Sequence, residues 1–140
     1  MIEWMYQFTK GRFSTMKTVI CSKNAPAAVG PYSQAIFVGD TLYCSGQLGL
    51  VPETGKLAEG GLAAQARQMF ANVKAVLAEN GMDLSNVVKT TVFMTDLAGF
   101  AELNGIYAEN FTGEHPARSC VQVAALPLGG VVEMEVIAVK

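Results

Sequence analysis

The sequence predicts an α+β domain in which helices cover one face of a single sheet. Three observations carry this. Apolar residues recur at helical spacing in two stretches, Leu62–Asn80 and the segment that follows Asp96. Short β-branched or apolar runs lie before, between and after them. The resulting order is strands, helix, strand, helix, strands, with no internal repeat, low-complexity tract or linker.

Thr18–Cys21 reads as a short first strand. Asn24 to Pro31 reads as a loop, because two prolines and a glycine remove donors and break any period, and Tyr32 stands at its end. Ala35–Val38 and Leu42–Cys44 are apolar runs separated by Gly39-Asp40-Thr41, the pattern of a hairpin. Ser45-Gly46-Gln47 closes the second arm, with Gly46 leaving room for a ligand or another backbone. Pro52-Glu53-Thr54-Gly55 is a turn, and Glu59-Gly60-Gly61 is flexible.

The clearest helix spans Leu62–Asn80. Leu62, Ala66, Met69, Phe70, Val73, Val76 and Leu77 form its apolar stripe, Gln65, Gln68, Asn72 and Glu79 fall elsewhere, and Gly81 is a natural stop. Val87–Thr95 is a strand with Lys89, Thr91, Phe93 and Thr95 on one face and Val88, Thr90, Val92 and Met94 on the other. Asp96 can cap the next helix, where Phe100, Leu103, Tyr107 and Phe111 follow the helical period. In the last two strands Arg118, Cys120 and Gln122 share a face, and Val132, Met134, Val136 and Ala138 share another, with Glu133 and Glu135 opposite them.

The chain has 140 residues, one domain's worth, and can bury roughly 70% of its unfolded surface without a metal or disulfide. It is 51% hydrophobic and 16% charged, an apolar excess that fits surface buried between subunits. A net charge of −2 and no basic run disfavour nucleic acid as a partner. Cys21, Cys44 and Cys120 are odd in number and widely spaced, which fits unpaired thiols in a reducing, cytoplasmic setting. No apolar run reaches the roughly 20 residues of a membrane helix. Residues 1–15 carry Trp4, Tyr6, Phe8 and Phe13, with Lys10 and Arg12 after the apolar part, the reverse of a secretory signal. They read as an N-terminal extension ahead of one domain spanning 16–140, since Met16 resembles a second start.

The chemistry gathers near the C-terminus. Arg118 sits just before an apolar stretch and Glu133 inside one. A guanidinium is a flat, permanently charged fork suited to a carboxylate. A carboxylate near apolar walls has its pKa raised, and can then take and return a proton near neutral pH. Together they point to a small pocket that holds an anionic organic acid and moves protons beside it. The bland alternatives are a structural ion pair for Arg118 and a solvated edge for Glu133 and Glu135. A Cys120–His115 nucleophile pair is a further possibility, although nothing in the sequence brings the two together. One His and scattered Cys give no metal site. There is no phosphate-cradling glycine loop, dinucleotide fingerprint or nucleophile elbow. The pairing of the last two strands is not legible, so the separation of Arg118 from Glu133 stays open.

Several motifs resemble one family. Pro116-Ala117-Arg118-Ser119-Cys120-Val121, then Leu126-Pro127, then Val132-Glu133-Met134-Glu135 resemble the signature of the Rid family, the RidA or YjgF-type reactive intermediate deaminases. Asn24 to Gln34 resembles its N-terminal motif; Ser45-Gly46-Gln47, Gln65-Ala66-Arg67-Gln68 with Asn72-Val73, and Val88 to Phe93 are also similar. The resemblance covers nearly all of 16–140. It implies a chorismate-mutase-like fold, one mixed sheet of about six strands with two helices on one face, and a homotrimer with pockets between subunits. The implied reaction is hydrolysis of 2-iminopropanoate and 2-iminobutanoate to 2-keto acids and ammonia, without a cofactor. Arg118 is implied to hold the substrate carboxylate and Glu133 to orient or activate water. Tyr32, Ser45, Asn104 and Cys120, the last through its backbone, are implied pocket residues. Leu128-Gly129-Gly130 and Leu48-Gly49-Leu50 depart from the family pattern, and bear on rim shape and substrate preference. Alternatives are a non-catalytic module that binds a small metabolite, an endoribonuclease or translation inhibitor, as attributed to some relatives, and a holdase.

Overall fold

The computed structural model describes residues 16–140; the predicted extension, with Trp4, Tyr6, Phe8 and Phe13, lies outside the described residues. Seven strands occur in it: β1 (Thr18–Ile20), β2 (Ala35–Val38), β3 (Thr41–Cys44), β4 (Gln47–Leu48), β5 (Val87–Met94), β6 (Ala117–Gln122) and β7 (Val132–Val139). Helix α1 (Gly61–Glu79) joins β4 to β5, and α2 (Phe100–Asn110) joins β5 to β6. The sheet runs β1-β2-β3-β7-β5-β6, with β4 paired to β7. It is mixed, because β5 and β6 are parallel across the α2 crossover while the other pairs are antiparallel.

The hairpin between β2 and β3 turns at Gly39, φ 63°, a conformation in which glycine meets no Cβ penalty. Helix α1 ends as expected: Gly81 has φ 67°, its N–H donates to Ala78 O and that of Met82 to Leu77 O, the paired bonds of a Schellman stop. Asp96 caps too, but its carboxylate accepts from Ala98 N in a 3-10 turn (Leu97–Gly99) that leads into α2.

Both helices lie on one face. Ala66, Met69, Phe70, Val73, Val76 and Leu77 of α1 pack with Leu103, Ile106 and Tyr107 of α2 over Leu42, Val92, Met94, Val132, Met134, Val136 and Ala138. The alternation predicted for β7 is therefore correct.

Three details differ from the sequence reading. A bulge between Val87 and Lys89 turns Val87 into the core and leaves Val88 exposed, so Val88 leaves the face that Thr90, Val92 and Met94 keep. Two-residue β4 is a strand that no propensity signal marks. Gln65 and Asn72 are buried, not on the polar side of α1. Asn72 donates to Leu48 O (3.0 Å) and Leu50 O (2.8 Å), and Gln65 accepts from Val131 N (3.0 Å). Buried amides persist where their hydrogen bonds are made, and these two tie both rims of the cavity described next to one helix.

Candidate functional site

The side chains singled out in the sequence form two groups on opposite faces of the sheet. Register decides this. Arg118 pairs with Thr90, which pairs with Val136, both buried beneath the helices. Glu133 pairs with Phe93, three residues from Thr90 along an unbroken stretch of β5 and so on the other face. Within one chain Arg118 and Glu133 therefore do not line one pocket, and the separation that the sequence left open is across the sheet. Parity could be read strand by strand, but the register between strands could not.

The first group is built on α2. Arg118 Nη1 donates to Asn104 Oδ1 at 2.8 Å, and the guanidinium lies 4.6 Å from the centre of the Tyr107 ring and 5.5 Å from that of Phe100. Tyr107 is itself fixed. Its hydroxyl bonds Thr90 Oγ1 at 2.8 Å, and its ring packs on Phe70 and Phe111. Burial raises its pKa, while Thr90 and Arg118 pull the other way. Among the described residues the ion pair present is Arg67–Glu109, and Arg118 forms none with them. It is a preset cation with one donor on Asn104 and others available to an anion. Cys120 shares its face, partly buried against the core. Burial raises the thiol's pKa more than Arg118 lowers it, opposite to what a thiolate nucleophile needs. His115 stands on the exposed loop before β6.

The second group lines a cavity of about 600 Å³ that contains Tyr32, Ser45 and Glu133. The loop carrying Tyr32 is pinned by Gln34, whose side chain donates to Pro26 O (2.8 Å) and Ser22 O (3.1 Å) and accepts from Ser22 N (2.6 Å). Tyr32 N–H then closes a tight turn on Gly30 O at 2.8 Å. Ser45 Oγ donates to Ser33 O (2.6 Å), leaving its oxygen free to accept. Glu133 is half-buried. Its pKa is raised first by burial and second by the charge of Glu135, on the same face. The room that Gly46 leaves is filled by this residue: a Cβ at 46 would overlap the Glu133 carboxylate. Gly49 is required as well, because a Cβ there would overlap the backbone of Gln65 in α1. Gln34, Gly46, Gly49, Gln65 and Asn72 thus set the cavity's shape. The sequence signal was present, since Gln34, Gly46, Gln65 and Asn72 lie in the quoted motifs, but their partners were not visible.

A second cavity of about 660 Å³, lined by Lys74, Met82 and Phe111 among others, holds none of these residues. Among the described residues no cluster of His, Cys, Asp or Glu could hold a metal. No described helix is long and apolar enough to cross a membrane.

A family model described as "Endoribonuclease L-PSP" matches residues 22–140. The chain belongs to this family. Within the family, the "2-iminobutanoate/2-iminopropanoate deaminase" of Bos taurus is 47% identical over 127 residues, 91% of this chain and 93% of that protein. The crystal structure of RidA from the Antarctic bacterium Psychrobacter sp. PAMC 21119 is 53% identical, with a TM-score of 0.85 over 88% of this chain and 99% of that one. E. coli TdcF with bound serine is 39% identical, TM-score 0.83, over 88% and 98%. The Rid resemblance read from the motifs is correct, and so is the one-sheet, two-helix architecture.

Proposed function

We infer that this protein hydrolyses reactive 2-imino acids, 2-iminopropanoate and 2-iminobutanoate among them, to 2-keto acids and ammonia. The observation that carries this is the 47% identity to a protein named for that activity across nine-tenths of both chains. The two groups of side chains suit the chemistry. Arg118, with donors available, grips the substrate carboxylate. Glu133, desolvated beside another carboxylate, takes a proton from water as the water oxygen bonds to the imine carbon. The C=N π electrons of the protonated imine pass to nitrogen, giving a tetrahedral amino alcohol; Glu133 returns its proton to that nitrogen, and then takes the hydroxyl proton as the C–N bond breaks, so that ammonia and the keto acid leave. Fixing carboxylate and water in one geometry supplies most of what so electrophilic a carbon requires. Asn104, Tyr32, Ser45 and the Cys120 backbone complete the pocket in this reading, and no step requires a cofactor.

Because the two groups lie on opposite faces of the sheet, one site requires Arg118 from one subunit and Glu133 from a neighbour. A homotrimer with three such interfaces meets that need, and Tyr43 and Val121, exposed on the open face, are surface it would cover. A cytoplasmic setting, where amino acid metabolism releases these imines, agrees with the free cysteines. The endoribonuclease of the family description is disfavoured by charge: the net charge is −2, and within one chain the Glu133 cavity is lined by no Lys or Arg to meet phosphate.

The test runs a threonine dehydratase with semicarbazide competing for the imine. The protein is expected to raise 2-ketobutyrate formation, and Arg118→Ala to abolish the rise. No rise with wild-type protein would reject the function. RNA cleavage that survives Arg118→Ala, without deamination, would favour the nuclease.

A further inference from the structure

The turn that closes the Glu133 cavity holds a leucine where leucine seldom sits. Leu128 has φ 59° and ψ 16°, left-handed backbone, and is the one non-glycine residue with positive φ among those described. The L side chain disfavours that geometry, which Gly129 beside it, φ 77°, adopts freely. Burial does not repay the strain, because Leu128 is 66% exposed. The turn is nevertheless anchored. A Cβ at Gly130 would come within 2.8 Å of Leu48 Cδ2, so this turn rests directly on Leu48. Leu48 is in register with Glu133 and on the same face. The outcome is an isobutyl group held at an apolar rim with Val29, Leu48, Leu50 and Pro127, around the cavity that contains the carboxylate. Strain retained at an exposed position that lines a cavity is the pattern of a functional constraint.

We propose that Leu128 is a specificity-determining residue which, with Val29, Leu48 and Leu50, receives the side chain of 2-imino acids bearing large apolar groups, such as the imines of leucine and phenylalanine. This rests on the deaminase reading above. Each methylene buried against such a wall strengthens binding by about fourfold, so a branched side chain gains where a methyl group cannot reach.

The experiment generates the imines of alanine, leucine and phenylalanine in place with an L-amino acid oxidase, traps unhydrolysed imine with semicarbazide, and reads kcat/KM for the full chain. Leu128→Gly and Leu128→Asn both suit left-handed backbone, so neither is expected to unfold. In each, the ratio of leucine-imine to alanine-imine kcat/KM is expected to fall about tenfold, mainly through KM. Leu128→Met is expected to restore most of the ratio. A ratio unchanged in both variants, or both substrates falling in parallel, would overturn the assignment while leaving the deaminase reading intact. Wild-type protein that hydrolyses none of the three imines would remove both.

Discussion

On the helix-covered face of the sheet, Arg118 is set by packing. Its guanidinium lies against Tyr107, which is held by Phe70, Phe111 and a buried bond to Thr90, and Asn104 fixes its direction. On the open face, Glu133 is set by the absence of packing. Gly46 provides the space for its carboxylate, and loops tied by Gln34, Gln65 and Asn72 provide the walls. One face supplies a permanent charge in a rigid mount, the other a titratable charge in a hollow. The difference teaches that, for the proposed reaction, neither face would be a complete catalyst. A cation held by aromatic rings can position an anion but cannot move protons, and a desolvated carboxylate can move protons but repels an anionic substrate.

Breaking each face gives the largest effects. Arg118→Ala is expected to lower kcat/KM about 10²- to 10³-fold, because a charge-assisted clamp on the carboxylate is lost. Glu133→Gln is expected to lower kcat about 10²-fold while leaving 2-ketobutyrate affinity near wild type, measured by calorimetry. Equal loss of turnover and affinity would contradict its role toward water. Gly46→Ala sharpens the contrast. Its Cβ meets the free end of the Glu133 side chain, so the carboxylate must move while the backbone holds. Turnover is expected to fall roughly tenfold, with a thermal midpoint close to wild type.

Asn72→Ala tests the walls and not the charge. It should cost about 1–3 kcal/mol in urea denaturation, since the carbonyls of Leu48 and Leu50 lose their donor. Smallest is the pH effect of Glu135→Gln. Glu133 titrates above its ordinary value of 4.5 through burial and then through the Glu135 charge. Acting as a base it must be ionised, so the rate rises as pH passes upward through that raised pKa. Removing the Glu135 charge favours the ionised form, and the acid limb should move to lower pH. Stability has the same origin: a raised carboxyl pKa means ionisation above pH 4.5 weakens the fold, so Glu133→Gln should stabilise more at pH 7 than at pH 4.

Much of the architecture was legible because it follows from local periods. The stripe of α1, the stop at Gly81, the alternation of β7 and the shared face of Arg118 and Cys120 need only 3.6- and 2-residue spacing. What could not be read depends on contacts distant in sequence. Gln65 and Asn72 look like surface amides until the carbonyls of Leu48, Leu50 and the N–H of Val131 are beside them. Gly46 was read as space for a ligand or backbone, because its actual occupant, Glu133, lies far along the chain. The bulge at Val88 reverses one residue's face without a composition signal. The separation of Arg118 from Glu133 is the same kind of fact, set by β5 standing between β6 and β7.

Whether two chains build one site is answered by mixing them. Arg118→Ala and Glu133→Ala chains, each inactive alone, are co-expressed in equal amounts, and the co-assembled oligomers are assayed for imine hydrolysis. If an intact arginine from one subunit meets an intact glutamate from the next, about a quarter of the wild-type rate should return by random assembly. Mixed oligomers as silent as their parents would show that the cation and the carboxylate never share a substrate.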